Sequence, residues 1–194
     1  MGNVFEIAWL SLFVATCAVG GTIAIPDSPS PEFADLKSVT NVPLSRAMLQ
    51  RARVFEATVS LLATASNSVE VAFGRSRNHD GVLSPGDEAF AFGWNAGAWF
   101  CASSNNCIAS EPYDTPAMRS LSFVLRVSEN GAPLSLSFSG IGDGDSLAAL
   151  AATPPDWMFS RDWDTARLTV RGADEPDETV VVRFDNDPVV FLAR

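Results

Sequence analysis

The stretch SRNHDGVLSPGD, residues 76–87, has side chains whose types and spacing could bind a metal ion. A calcium loop of about twelve residues places oxygen ligands at positions 1, 3, 5, 7, 9 and 12, with glycine at position 6. With Gly81 at position 6, Leu83 falls where such loops carry an apolar anchor. The candidate ligands are then Ser76, Asn78, Asp80, Val82 through its carbonyl, Ser84, Asp87 and the adjacent Glu88.

The charge of these ligands argues against tight binding. Ser76 offers a hydroxyl where a carboxylate is usual, and Asp87 is shorter than the glutamate that normally gives two oxygens. Arg75 and Arg77 add positive charge beside the loop. The sequence therefore leaves two interpretations, a weak calcium site or a hydrogen-bonded turn. We favour the turn, which needs only the Asp80–Gly81 bend and the apolar anchor.

Other residues give little support for catalysis. His79 is the single histidine, so a Ser-His or Cys-His pair would have to use it, and no GxSxG motif accompanies it. One imidazole also rules out a zinc site built from several histidines. The sequence has neither the spaced acids of a β-sandwich glycosidase nor a glycine-rich phosphate loop. We expect a protein that is not an enzyme and that has no cofactor other than weakly bound calcium, if any.

Two further acidic stretches have simpler interpretations as turns. GIGDGDS places Asp143 and Asp145 among glycines, where they could cradle calcium or, as we favour, form a turn in which Asp145 or Ser146 caps a helix. The loop ADEPDE, residues 173–178, is typical of a solvated hairpin tip.

The tryptophans allow a sugar-binding hypothesis, because aromatic rings can stack on glycans. Packing in the core is the alternative for Trp94, since it shares a strand face with Phe90 and Phe92. Trp163 lies among polar residues and is expected to be partly exposed. The remaining candidates for a stacking platform are Trp99 and Trp157.

The composition indicates one folded domain and excludes one class of partner. The chain has 194 residues, of which 47% are hydrophobic, and a formal net charge of -10. A surface this acidic repels phosphate backbones, and no basic cluster offsets the repulsion. Nucleic acid is therefore not an expected partner.

The apolar segment at residues 5–25 has three possible roles. It could be a secretory signal cleaved near the small residues AVG, an uncleaved membrane anchor, or a buried helix or strand. Its resemblance to a lipoprotein or prepilin leader is imperfect, because Thr16 and Glu6 depart from those patterns. A stretch rich in proline and serine at residues 26–35 is predicted to be a linker.

The cysteines favour export. Cys101 and Cys107 flank the polar loop ASSNN, so they are expected to form a disulfide between two strand ends. Cleavage of the segment at residues 5–25 would remove Cys17 and leave this even pair. For an uncleaved anchor, however, the following basic residues would keep that side of the chain in the cytoplasm.

Alternating apolar residues from Phe55 onward predict eight to ten short strands separated by turn residues. Asn130-Gly131 is the strongest hairpin signal. One short helix is predicted at residues 146–153, and a second is possible after Ser45. We predict an all-β domain over residues 36–194, built as a two-layer antiparallel β-sandwich that is jelly-roll-like.

The run from NSVEVAFG to DGVLSPGDEAFAFGWNAGAWF, together with RDWDTARLTVRG, resembles a group of uncharacterised exported bacterial β-domain proteins. In those proteins an apolar leader precedes the domain, and an EF-hand-like, Asp-rich loop lies between two strands. This sequence departs from the group where Ser76 and Asn78 replace acids. The resemblance implies export but no activity.

These observations predict a non-catalytic structural or interaction module of the cell surface, the extracellular space or the periplasm. Its partner would be a protein or glycan of the cell surface, and it would contact a membrane only through residues 5–25. A carbohydrate- or weak calcium-binding, lectin-like module is an alternative. A pilus-like subunit with an apolar N-terminal helix and a β head is another.

Overall fold

The computed structural model describes residues 36–84, 86–113, 116–142, 145–171, 179–185 and 187–192. The predicted segment at residues 1–25, the linker at 26–35, Asp143 and the acidic loop at 173–178 lie outside these ranges. In chain order the elements are β1 (Leu36–Pro43), α1 (Arg46–Arg51), β2 (Val54–Ala63), β3 (Ser68–Gly74), β4 (Glu88–Asn95), β5 (Ala98–Ser103), β6 (Cys107–Ala109), β7 (Ala117–Val127), β8 (Pro133–Ser139), α2 (Ala148–Ala152), a 3-10 turn (Asp156–Met158), β9 (Thr165–Arg171), β10 (Thr179–Phe184) and β11 (Asp187–Leu192).

The strands form two antiparallel sheets that pack face to face, so the predicted all-β sandwich is confirmed. The six-stranded sheet has the order β1-β9-β3-β4-β5-β6, and the five-stranded sheet has the order β11-β10-β2-β7-β8. Hairpins join β3 to β4, β4 to β5 and β7 to β8. The late strand β9 lies between β1 and β3, which makes it a long-range insertion into the six-stranded sheet.

The core between the sheets is aromatic, as the alternation in the strands predicts. Successive residues of β2 alternate between buried and half-buried along most of its length. The ring of Phe55 on β2 lies 5.2 Å from the ring of Phe73 across the sandwich and 4.9 Å from Phe184 on β10. Edge-on and stacked ring pairs of this kind add to the burial of apolar area.

Three turns follow from local chemistry. The amide oxygen of Asn67 accepts from the backbone N–H of Thr64 at 2.9 Å, and its nitrogen donates to the carbonyl of Leu62 at 2.7 Å, which closes the β2–β3 turn. Ala96 and Gly97 both have positive φ between β4 and β5. The predicted hairpin at Asn130-Gly131 is confirmed between β7 and β8, with positive φ at Gly131.

The two predicted helices are present but short. The hydroxyl of Ser45 accepts from the backbone N–H of Met48 and caps α1, as expected. The region before α1, however, forms strand β1, although its sequence LKSVTNVP has a weak apolar pattern. β1 is an edge strand paired with β9, so tertiary pairing decides its structure.

Candidate functional site

The loop between β3 and β4 contains the predicted calcium ligands except Glu88, which begins β4, and its first half is closed by Asp80. One carboxylate oxygen of Asp80 accepts from the hydroxyl of Ser76 at 2.8 Å and from the backbone N–H of Val82 at 2.9 Å. The bond from Val82, followed by the bond from Ser76, lowers the pKa of Asp80 below its usual value. Gly81 supplies the positive φ of the bend. Asp80 therefore organises a turn.

The second half of the loop is held by Asp87. Its carboxylate lies 3.0 Å from the guanidinium of Arg77 and accepts from the backbone N–H of Ser84 at 3.1 Å. Arg77 also donates to the carbonyl of Gly86 at 2.6 Å. The side chain of Asp87 is only 3% exposed, whereas that of Arg77 is 73% exposed. The ion pair therefore lies at the edge of the folded structure.

The predicted ligand Glu88 points to the sheet and belongs to a different group. One of its carboxylate oxygens lies 2.8 Å from the guanidinium of Arg167 on β9, and the other accepts from the N–H of Gly86 at 2.7 Å. The same guanidinium lies 3.0 Å from Glu70 on β3 and donates to the carbonyl of Leu83 at 2.8 Å. Arg167 thus ties the loop to the outer side of the six-stranded sheet.

This ion cluster is largely removed from water. The side chains of Arg167 and Glu88 are 15% and 5% exposed. Burial by itself would lower the pKa of Arg167, but the charges of Glu70 and Glu88 outweigh it, and the pKa is raised. Such a cluster positions the loop, and it is costly to break because a lost partner leaves a buried charge.

The structure thus brings the predicted ligands together as separate pairs. Ser76 bonds to Asp80, Ser84 to Asp87, and Glu88 to Arg167, whereas the side chains of Asn78 and Val82 face solvent. In the described ranges, no group of three or more histidine, cysteine and acidic side chains is placed to hold a metal ion. The geometry of this loop supports the turn interpretation.

The predicted disulfide between Cys101 and Cys107 is wrong. Cys101 is a free, buried thiol, and burial raises its pKa. In the β5–β6 pairing Cys101 lies opposite Ile108, and Cys107 lies opposite Ala102. Neighbouring residues of a strand point to opposite faces, so Cys101 faces the core between the sheets and Cys107 faces outward. The short ASSNN loop brings the strands together but not the two thiols.

The tryptophans pack into the domain. Trp94 and Trp99 are fully buried with ring centres 5.1 Å apart, which confirms the core interpretation of Trp94. The expected partial exposure of Trp163 is wrong, since it is 3% exposed and stacks 5.0 Å from Phe73. Trp157 is half-buried against the same core. The predicted stacking platform therefore lacks exposed rings at these positions.

Asp145 acts in a turn, as favoured, but the expected cap of α2 by Asp145 or Ser146 is wrong, because no side chain caps that helix. Its carboxylate accepts from the backbone N–H of Leu147 at 2.9 Å, just before α2. The single histidine, His79, is exposed in the β3–β4 loop, whereas the free thiol of Cys101 is in the core. These two groups therefore do not form a nucleophile–base pair.

The outer side of the five-stranded sheet has a different character. It carries a surface of small hydroxyl side chains, here called the hydroxyl face, made of Thr58, Ser60, Ser120, Ser122, Ser137 and Ser139. Thr58 and Ser122 are joined at 2.8 Å, and Ser60 and Ser120 at 2.9 Å. Each of these residues is exposed or half-buried. At one end, Leu62 and Met118 lie opposite each other and are 39% and 64% exposed.

Sequence reasoning missed Arg167, Glu70 and the hydroxyl face. The signal for all three was the alternation of the strands, which placed these polar residues on the side opposite the core. That signal does not say which strands are neighbours, so the ion cluster was not predictable from it.

Comparisons of the chain with protein families, with curated proteins and with solved structures found no match. In the portion of the chain that the structure describes, no helix combines the length and the apolar character needed to cross a membrane.

Proposed function

We propose that the protein is a non-catalytic interaction module that works outside the cytoplasm, at the cell surface or in the extracellular space. The observation that carries this proposal is the hydroxyl face, a surface of exposed or half-buried serine and threonine side chains that Glu56 and Arg126 border on the same side of the sheet. The carboxylates of Asp80 and Asp87 in the β3–β4 loop, in contrast, are engaged in holding that loop in place.

The chemistry of the face favours a protein partner. Hydroxyl groups donate and accept hydrogen bonds, and the exposed pair Leu62 and Met118 adds an apolar contact at one end. Apolar contacts rich in methionine, surrounded by polar groups, are common in protein interfaces. A glycan partner is less favoured, because the described tryptophans are buried or half-buried in the core and offer no stacking platform.

Location is tested by fractionating cells that produce the full chain and by treating intact cells with protease. We expect the chain outside the cytoplasm. Recovery of the intact chain in the cytoplasm would overturn this part of the proposal.

Binding is tested by adding labelled full-length chain to intact cells from the same source. The variant Ser122→Lys is expected to reduce binding at least tenfold, because it places a charge in the middle of the hydroxyl face. The matched control is Ser104→Lys, at an exposed turn on the other sheet. Protease treatment of the cells should remove the binding. Removal by periodate oxidation of glycans instead would favour the lectin-like alternative, and equal binding by both variants would sink the assignment to this face.

A further inference from the structure

In the described ranges the two sheets end in four edge strands, and three of these carry features that discourage pairing with another chain. β1 contains Lys37 and ends at Pro43, and β11 has Pro188 at its second position. β6 is only three residues long. Short length, lysine and proline are means by which folded proteins keep a free edge from pairing with further strands. These three edges are therefore poorly suited to association.

The fourth edge strand, β8, has a regular and uncharged stretch at Ser135–Ser139, here called the open edge. Its sequence, SLSFS, contains no charged residue and no proline. Pro133 is confined to the start of the strand, and the irregular register with β7 lies before Ser135. From Ser135 to Ser139 the strand pairs with β7 residue by residue. The open edge thus lacks the features that protect the other three edges.

The backbone of the open edge is paired on one side. Among the strands that the structure describes, β7 is the partner of β8 and no strand lies on its other side. The helix α2 packs against β8 and buries Leu150 in the core. No backbone hydrogen bond between described residues joins α2 to β8, however. An edge strand of this kind presents a row of N–H and C=O groups to a further strand.

The side chains of the open edge follow a pattern that is the same in both directions. Ser135, Ser137 and Ser139 lie on the outer side of the sheet and are exposed. On the core side, Leu136 is buried and Phe138 is half-buried. In an antiparallel pairing of two such strands about Ser137, serine lies opposite serine and Leu136 lies opposite Phe138. The open edge is therefore complementary to itself.

We propose that β8 pairs with β8 of a second copy of this chain, antiparallel and centred on Ser137. A two-fold axis relates the copies, so both contribute the same surface, which is the commonest symmetry of protein dimers. The N–H and C=O groups of each copy complete the hydrogen bonding of the other edge. On the core side, Phe138 contacts Leu136 of the partner subunit.

Electrostatics favours contact at this edge over other parts of the surface. The chain has a formal net charge of -10, so two copies repel each other in most orientations. The open edge has no charged side chain of its own. On the outer side of the neighbouring strand β7, Arg126 lies opposite Ser135. Pairing about Ser137 therefore places no two carboxylates opposite each other.

The pairing joins the two five-stranded sheets into one continuous sheet. Residues opposite each other in antiparallel strands point to the same side, so both hydroxyl faces lie on one side of the joined sheet. The dimer then presents two equal copies of this surface to a partner. Two linked binding surfaces raise the avidity for a partner that also has repeated sites. The interface itself does not rest on the proposed function, because it follows from β8 alone.

The dimer is tested by measuring the mass of the purified full-length chain with sizing chromatography and light scattering. The chain is used at about 100 μM, because a five-residue pairing is short and a weak dimer needs a high concentration. We expect the mass of two chains for the wild type. Ser137→Lys should give the mass of one chain, because two positive charges would face each other at the axis. The matched control Ser120→Lys adds the same charge at an exposed position of β7 and should remain a dimer.

The mass of one chain for the wild type at this concentration would overturn the proposal. So would the mass of two chains for Ser137→Lys, since the dimer would then use another surface. Circular dichroism of both lysine variants shows whether they keep the fold of the wild type.

Cross-linking tests the register and does not depend on the lysine variants. In Ser137→Cys the two introduced thiols lie opposite each other, within reach of a disulfide. In Ser135→Cys they are four residues apart along the strands, which is about 13 Å and beyond that reach. Under mild oxidation we expect a linked dimer on a non-reducing gel for Ser137→Cys, and none for Ser135→Cys or the wild type.

Equal yields of linked dimer from Ser137→Cys and Ser135→Cys, or a higher yield from Ser135→Cys, would contradict the pairing. Neither experiment uses cells or a binding partner. A monomeric wild type would therefore remove the dimer and leave the proposed function standing, whereas a failure to bind cells would remove the proposed function and leave the dimer.

Discussion

The two outer faces of this sandwich differ although both sheets are antiparallel and share one core. On the hydroxyl face the side chains are serine and threonine, and they lie exposed or half-buried in pairs such as Thr58 with Ser122. The outer side of the six-stranded sheet is here called the closed face, and on it the buried alanines Ala72, Ala91 and Ala102 adjoin an ion cluster of Arg167, Glu70 and Glu88. The two outer sides therefore differ in burial, since the hydroxyl side chains of the five-stranded sheet are exposed or half-buried and the alanines of the six-stranded sheet are buried.

The largest expected difference between the faces is in the free energy of unfolding that is lost when an arginine is replaced. Arg167→Leu should lower the free energy of unfolding by about 3–5 kcal/mol, because Glu88 would be left buried without its partner. Arg126→Leu, at an exposed position on the outer side of β7, should change it by less than about 0.5 kcal/mol. Urea denaturation measures both. Equal effects of the two variants would contradict the buried character of the closed face.

A larger side chain should also destabilise the two faces to different extents. This difference is expected to be smaller than the difference between the two arginine substitutions. Ala91→Leu should destabilise the protein by about 1–3 kcal/mol, since Ala91 is fully buried and the added volume must displace its neighbours. Ser122→Leu, on the hydroxyl face, should cost less than about 1 kcal/mol. Thermal unfolding of the two variants provides the comparison. A neutral Ala91→Leu would mean that this part of the closed face is open.

The β3–β4 loop, which adjoins the closed face, is expected to contribute to stability in a way that depends on pH. Because the pKa of Asp80 is lowered in the folded protein, its carboxylate stabilises the loop above the usual aspartate pKa. That contribution is lost as the pH falls through the lowered pKa. Ser76→Ala should raise the pKa of Asp80 toward its usual value, as followed by NMR of the side-chain carboxyl group.

Ser84→Ala is the control for this titration, since Ser84 contacts Asp87 through its backbone N–H. It should leave the pKa of Asp80 unchanged. An identical titration of Asp80 in the wild type and in Ser76→Ala would show that the hydroxyl does not hold the carboxylate.

The smallest expected effect is that of calcium. The carboxylates of Asp87 and Glu88 already bind arginines, so about 1–2 mM calcium should give no heat of binding beyond dilution in calorimetry. A saturable signal that is abolished by Asp80→Ala would instead support the calcium-binding alternative and would make the loop a ligand site.

Much of the fold could be predicted from local patterns. The alternation in β2, β3 and β4 identified their core-facing residues, and Ser45 and Asn130-Gly131 marked a helix cap and a hairpin. The prediction failed where the outcome depended on pairing. β1 has a weak pattern and forms because β9 lies beside it, and Trp163 is buried although its neighbours along the chain are polar.

The candidate site likewise combines features that local sequence predicts with features that depend on tertiary packing. The sequence by itself determined the bend at Gly81, the Leu83 anchor and the shortage of free acidic ligands, because these depend on residue type and short spacing. Only the tertiary structure decided that Arg167 meets Glu70, 97 residues away, and that Cys101 and Cys107 face opposite sides of a sheet. Strand alternation fixes on which side a residue lies, but the neighbour across the sheet follows from packing the whole chain.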